Sequence, residues 1–136
     1  MIILDTNVLS ETMRPAPNEA VIAWVERHGA DIATTAITVA ELRYGVERLP
    51  VGSRKRALET VLDSGLAGIP VLPFGEPEAV AYAAIRAAHE AAGVVAGTFD
   101  VQIAAIAAIG GHALATRNIK HFDGAGIAVV NPWVDQ

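Results

Sequence analysis

Met1-Ile2-Ile3-Leu4-Asp5-Thr6-Asn7 opens the chain, and the break in it at Asp5 decides the fold class. An apolar run this short, ended by a carboxylate, reads as a strand buried on both faces of a sheet. Its last residue then lies at the carboxyl edge, where open α/β sheets bind their ligands. An acid at that edge is poised for metal or phosphate chemistry. Two further acids, Glu41 and Asp100, stand in similarly apolar surroundings later in the chain.

Working outward, the 136 residues suit one domain spanning 1–136. Apolar residues make up 52% of the sequence, which argues for a packed core and against disorder. With no cysteine there are no disulfides and no thiolate metal sites, in keeping with a reducing cytoplasm. Asp5 interrupts the first apolar run too early for a signal peptide. The alanine-rich stretches are broken by Arg86, His89, Glu90 and Asp100, so no membrane span is expected. A net charge of −5 means that any nucleic-acid role needs local cations or bound metal ions.

Strand candidates at Ile32 to Thr35, Val71-Leu72, Ala113 to Ala115 and Ala128 to Val130 alternate with helical patterns. Those helices run over Val8 to Met13, from a cap at Asn18 to Gly29, over Thr38 to Leu49, from a cap at Ser53 through Leu66, from Pro77 to Gly93, and over Phe99 to Ile109. Strands alternating with helices imply a parallel sheet covered on both faces.

Asp5 has two readings, an N-cap for the helix behind it or a metal ligand. Thr6 and Asn7 favour the second, because three oxygen-bearing side chains exceed what one cap requires. Glu41 lacks a cation at i±3 or i±4, unlike Glu47, which has Arg43 for an ordinary solvated pair. Gly45 costs a helix about 1 kcal/mol relative to alanine. That cost suggests close packing one turn from Glu41. Asp100 opens a helix whose face continues through Ala104 and Ala107, with Phe99, Ile103 and Ile106 on the bulkier stripe. It could merely serve the helix dipole, but if Thr98 is the cap, Asp100 is free for other work. Carboxylates brought together repel, and a divalent cation removes the conflict. Oxygen ligands favour Mg²⁺ or Mn²⁺, ions able to activate water against a phosphodiester.

Ile3-Leu4-Asp5-Thr6-Asn7, Thr38-Val39-Ala40-Glu41-Leu42, Gly97-Thr98-Phe99-Asp100 and Ala115-Thr116-Arg117-Asn118 together resemble the PIN-domain family. The closing Asn131-Pro132-Trp133 is similar to the end of its FitB-like VapC branch. The resemblance implies an α/β/α sandwich with a central parallel sheet of about five strands. It implies a metal-dependent ribonuclease, the toxin of a type II toxin–antitoxin pair, with Asp5, Glu41 and Asp100 as its metal-binding acids. Many relatives carry an acid where Asn118 stands, and often one where His121 stands. Asn118 and Asp123 are therefore further candidates at the metal, though Asp123-Gly124 also reads as a plain turn.

Arg14, Arg117 and Lys120 follow strand ends near the acids and are candidates for RNA phosphates. Arg54-Lys55-Arg56 reads as a solvated face or a phosphate contact. His28, His89, His112 and His121 lack a shared ligand spacing and read as surface or helix-end residues, His121 alone drawing suspicion because it follows Asn118. The expectation is a cytoplasmic Mg²⁺- or Mn²⁺-dependent endoribonuclease that cuts single-stranded RNA, dimerises and answers to an antitoxin. The rival readings are a catalytically impaired PIN fold kept for protein binding, which Asn118 permits, and a small-molecule phosphohydrolase.

Overall fold

The computed structural model describes residues 1–135. Five short strands form one sheet: β1 (Ile2–Leu4), β2 (Ile32–Thr35), β3 (Val71–Leu72), β4 (Ala113–Ala115) and β5 (Val129–Val130). All pairings are parallel, in the order β3-β2-β1-β4-β5. The chain fills the β2–β3 side first and then crosses to the other side of β1. The order thus reverses between β1 and β4, with Leu4 in register with Ala115. That reversal opens a crevice at the carboxyl ends of these two strands.

Six helices cover the sheet: α1 (Thr6–Thr12), α2 (Glu19–Arg27), α3 (Ala36–Glu47), α4 (Ser53–Leu66), α5 (Glu76–Ala92) and α6 (Thr98–Gly110). Successive strand residues point to opposite faces. Ile3 and Leu114 therefore pack with Ile103, Ala104 and Ala107 of α6. Leu4 and Ala115 pack with Val8 and Leu9 of α1 and with Val21 and Trp24 of α2. Two apolar layers on one sheet make the expected α/β/α sandwich. Ala104 and Ala107 are wholly buried and let the α6 backbone lie close to β1 and β4.

Several local expectations change. The Asn18 side chain does cap α2, accepting from the Ala20 and Val21 amides. Ser53 does not cap α4. Gly52 holds that position in extended backbone, and Ser53 is the first helical residue. Thr35 caps α3 by accepting the Thr38 N–H, so that helix begins before Thr38. Gly45 faces open space, and the close approach occurs at Gly65, where a side chain would collide with Met13. Arg43 pairs with Asp63 of α4 at 2.7 Å, leaving Glu47 to Lys55 at 3.7 Å. Lys55 also donates to the Glu47 carbonyl at the end of α3, where a cation suits the dipole. Phe99 is half exposed while Ile103 is buried, so they do not share one core stripe. Of the two readings of His89, surface or helix end, the second holds: it sits in the last turn of α5, but it is buried. A 3-10 turn, Ile119–Phe122, is anchored by buried Phe122. Among the described residues no helix is long and apolar enough to cross a membrane.

Candidate active site

The two readings of Asp5 turn out to be compatible. Asp5 is 3% exposed at the end of β1 and uses its two oxygens differently. Oδ1 accepts the Thr6 amide at 2.8 Å and caps α1. Oδ2 accepts the Thr116 hydroxyl at 2.7 Å and the Asn7 amide group at 3.2 Å. Asn7 is itself fixed, because its Oδ1 accepts the Arg117 N–H at 3.2 Å. Burial pushes the Asp5 carboxyl above its ordinary range, and Asp100 adds to the rise. The Thr116 and Thr6 hydrogen bonds and nearby His121 pull the other way.

Glu41, half-buried on α3, accepts the Thr6 hydroxyl through Oε1 at 3.0 Å. Thr6 Oγ1 also lies 3.1 Å from Thr38 Oγ1. A hydroxyl has a single proton and a carboxylate can only accept, so the proton goes to Glu41. Burial again raises the carboxyl, with Asp5 and Asp100 adding to it. Asp100, in the first turn of α6, is 22% exposed, and its Oδ2 lies 2.8 Å from His121 Nδ1. Gly97, not Thr98, holds the cap position of that helix. Thr98, Phe99, Gly97, Asp100 and Glu41 line an open cleft of about 420 Å³.

The three acids feel one another through space, yet they do not form a closed cage. Among the described residues no three acidic or histidine side chains are gathered tightly enough to enclose an ion. The donors themselves suit a hard divalent ion, being carboxylate oxygens near the carboxyl edge of a sheet.

The remaining candidates divide. Asn118 sends its backbone N–H to Thr116 Oγ1 at 3.1 Å while its side chain is exposed. Asp123 is exposed in a turn with Gly124 at φ +74°. Neither side chain is hydrogen-bonded to the three acids, among the described residues. Arg14 is paired with buried Glu11 at 3.1 Å. The Asn18 N–H above all, then Arg14, holds Glu11 below the usual carboxylate range despite its burial. Arg117 stacks on Trp133, 4.9 Å from the ring centroid. Arg117, Asn118, Lys120 and His121 line a second cleft of about 310 Å³.

Sequence reasoning passed over Thr116 as a site residue, and Thr35 and Thr38 with it. The signal was present, since Thr116 ends an apolar run as Asp5 does, and so does Thr35. His121 drew suspicion only for following Asn118, and its partner could not be read because Asp100 lies on a distant helix.

A parallel sandwich with buried acid at its switch point and two more acids facing the same edge defines an α/β protein with an acidic edge site. The chain belongs to the PIN-domain family, whose model matches residues 2–126. It is 43% identical over 139 residues to Toxin FitB of Neisseria gonorrhoeae, covering 99% of this chain and 100% of that protein. It is 40% identical over 138 residues to VapC ribonuclease Y4jK of Sinorhizobium fredii, covering 98% of each. Among solved structures, it resembles a chain of FitAB bound to an IR36 DNA fragment, with a TM-score of 0.89 and 42% identity, covering 100% of this chain and 98% of that one. It also resembles a chain of VapBC2 from Rickettsia felis bound to a promoter DNA fragment, with a TM-score of 0.84 and 27% identity, covering 96% and 98%.

Proposed function

We propose that this chain is an endoribonuclease toxin of VapC type, working in the cytoplasm on single-stranded RNA and held in check by an antitoxin. The observation that carries this reading is the buried Asp5 carboxylate at the switch point, linked to Glu41 through Thr6, whose amide and hydroxyl donate one to each acid. The near full-length similarity to a VapC ribonuclease and to a toxin supports it.

Asp5, Glu41 and Asp100 would hold the ion, Mg²⁺ or Mn²⁺ by the hardness of their oxygens. When bound, the ion supplies positive charge for the phosphodiester and makes a water more acidic. The chain's own residues prepare the place. Thr116 and Asn7 fix Asp5, Thr6 fixes Glu41, and His121 holds one oxygen of Asp100. Arg117 and Lys120, in the neighbouring cleft, offer cations to the RNA backbone and orient it across the acids. Asn118 and Asp123 stay outside the proposed ligand set. Exposed apolar side chains such as Tyr44 and Val61 on α3 and α4 leave surface for a second copy or the antitoxin.

The test is direct. Purified protein should cut single-stranded RNA with Mg²⁺ or Mn²⁺, stop in EDTA, and lose cutting in Asp5→Asn and Asp100→Asn while both variants stay folded by circular dichroism. Cutting that persists in EDTA or in both variants sinks the nuclease reading. Growth arrest on expression should disappear in Glu41→Gln and on co-expression of the antitoxin.

A further inference from the structure

His89 is a buried titratable group that the acidic cleft does not use. It lies in the last turn of α5 and is 4% exposed, and among the described residues neither ring nitrogen has a hydrogen-bond partner. An imidazole always carries at least one N–H, and leaving it unpaired under cover is costly. Its surroundings are not purely apolar. His89 lines a cavity of about 120 Å³ between α5 and the start of α6, together with buried Val101 and with Tyr82, Arg86, Glu90 and Thr98.

The cavity is rich in donors. Arg86 gives one N–H to Tyr82 Oη at 2.8 Å and another to Glu90 Oε1 at 3.4 Å, and the rest of its five have no partner among the described residues. Tyr82 accepts from Arg86, so its own proton is free to donate. Thr98 adds a hydroxyl. Against these donors stands one carboxylate, Glu90, in an exposed and long ion pair that holds little. The carbonyls ending α5 are already taken, His89 O by the Val94 N–H at 2.9 Å and Glu90 O by the Gly93 N–H at 3.3 Å. Gly97 gives α6 no side-chain cap, so the positive end of its dipole stays open at Thr98. Such a set suits an anion that accepts from several directions. Size narrows the choice further. A cavity of about 150 Å³ takes one benzene ring. A space of about 120 Å³ is therefore too small for a nucleobase with its ring substituents, and suits a compact tetrahedral oxyanion.

We propose that the His89 cavity binds a phosphate group, with Arg86 as its cation and His89, Tyr82 and Thr98 as further donors. Thr98 also lines the acidic cleft, so a phosphate here stands beside the place where RNA would be cut. The group can come from free inorganic phosphate or from a nucleotide. The inference does not depend on the three acids as metal ligands.

The experiment is titration of the protein in EDTA with inorganic phosphate, adenosine monophosphate or adenosine, at an ionic strength matched with chloride. The His89 ring nitrogens are followed in nitrogen–proton correlation spectra and assigned by their loss in His89→Leu. Inorganic phosphate should move them to a saturating value. Arg86→Gln should weaken that binding at least about tenfold, as loss of a charge-assisted hydrogen bond implies. The melting midpoint should rise with phosphate more in the wild-type protein than in His89→Leu or Arg86→Gln, where only the general salting effect is left. Tighter binding of adenosine monophosphate than of inorganic phosphate identifies a nucleotide as the source, and the reverse identifies the free ion. Adenosine acting as well as its monophosphate overturns the inference, since no phosphate is then read. So do ring signals that move no further in phosphate than in chloride, which leaves ordered water only, and an Arg86→Gln variant that binds phosphate as the wild-type protein does. Shifts that follow protein concentration give the cavity to a second copy and overturn it too. Each of these failures leaves the nuclease reading standing, because that reading falls on cutting in EDTA or in the acid variants.

Discussion

Thr116→Val should destabilise the metal-free protein by an amount that depends on pH. The Thr116 hydroxyl donates to a buried Asp5 oxygen at 2.7 Å. A hydrogen bond to a charged group contributes about 1.5–3 kcal/mol, and one between neutral groups about 0.5–1.5 kcal/mol. The valine variant should therefore lose the larger amount at neutral pH and the smaller one once Asp5 is protonated. The sign follows from linkage. Asp5 and Glu41 both have folded values above their unfolded ones. The folded chain therefore holds these protons more tightly than the unfolded chain does. Metal-free stability falls as pH rises from the ordinary carboxylate range through the raised folded values, and then levels off. Removing the Thr116 hydroxyl takes away a bond that favours ionised Asp5 and steepens that fall. Other contacts of Thr116, such as its acceptance of the Asn118 N–H, are independent of pH and cancel in the difference. Urea unfolding in EDTA, followed by the fluorescence of Trp24 and Trp133, gives the free energies. An Asp5→Asn background supplies the control, where the cost of Thr116→Val should lie in the neutral range at every pH. A cost that does not change with pH, or is undiminished in the Asn background, would refute the assignment of this bond to ionised Asp5.

Two more expectations concern groups away from the acids. His89 is 4% exposed and, among the described residues, neither ring nitrogen has a partner; His89→Leu should raise stability by about 1–3 kcal/mol, the cost of an unsatisfied buried polar group, and a lower melting midpoint would count against it. Asn118→Ala and Asp123→Asn should each leave Mn²⁺ affinity within about twofold, as for surface changes clear of a site, and a larger loss in calorimetry would restore either residue to the ligand set.

The sheet was legible because its signal is local. Ile2 to Leu4, Ile32 to Thr35, Val71-Leu72 and Ala113 to Ala115 are apolar runs between turn residues, and the strands fall on them. Asp5 could be found because its position at a strand end fixes which edge it faces. What could not be read were the contacts made between elements. His121 meets Asp100, and Thr6 meets Glu41, only because β4 and α3 are brought beside β1 by the strand order. No periodicity within a segment encodes that order. Gly45 misled for a related reason: a glycine signals either close approach or nothing, and the close approaches fall at Gly65, over the flexible Met13 side chain, and at Gly110, beside His112. His89 misled because a charged-looking residue on an alanine-rich helix can still be covered by the helix packed against it.

The alanines of α6 have a mechanical consequence. Ala104 and Ala107, wholly buried beside Ile103, let part of that helix lie close to Ile3 and Leu114. Asp100 rides at the first turn of that helix. A larger side chain at 104 or 107 would press on Ile3 or Leu114, so these two methyl groups help set how far Asp100 stands from the acids on distant parts of the chain. Valine at 104 would act as a shim, tilting Asp100 away from Asp5 while every polar contact around Asp5 stayed in place.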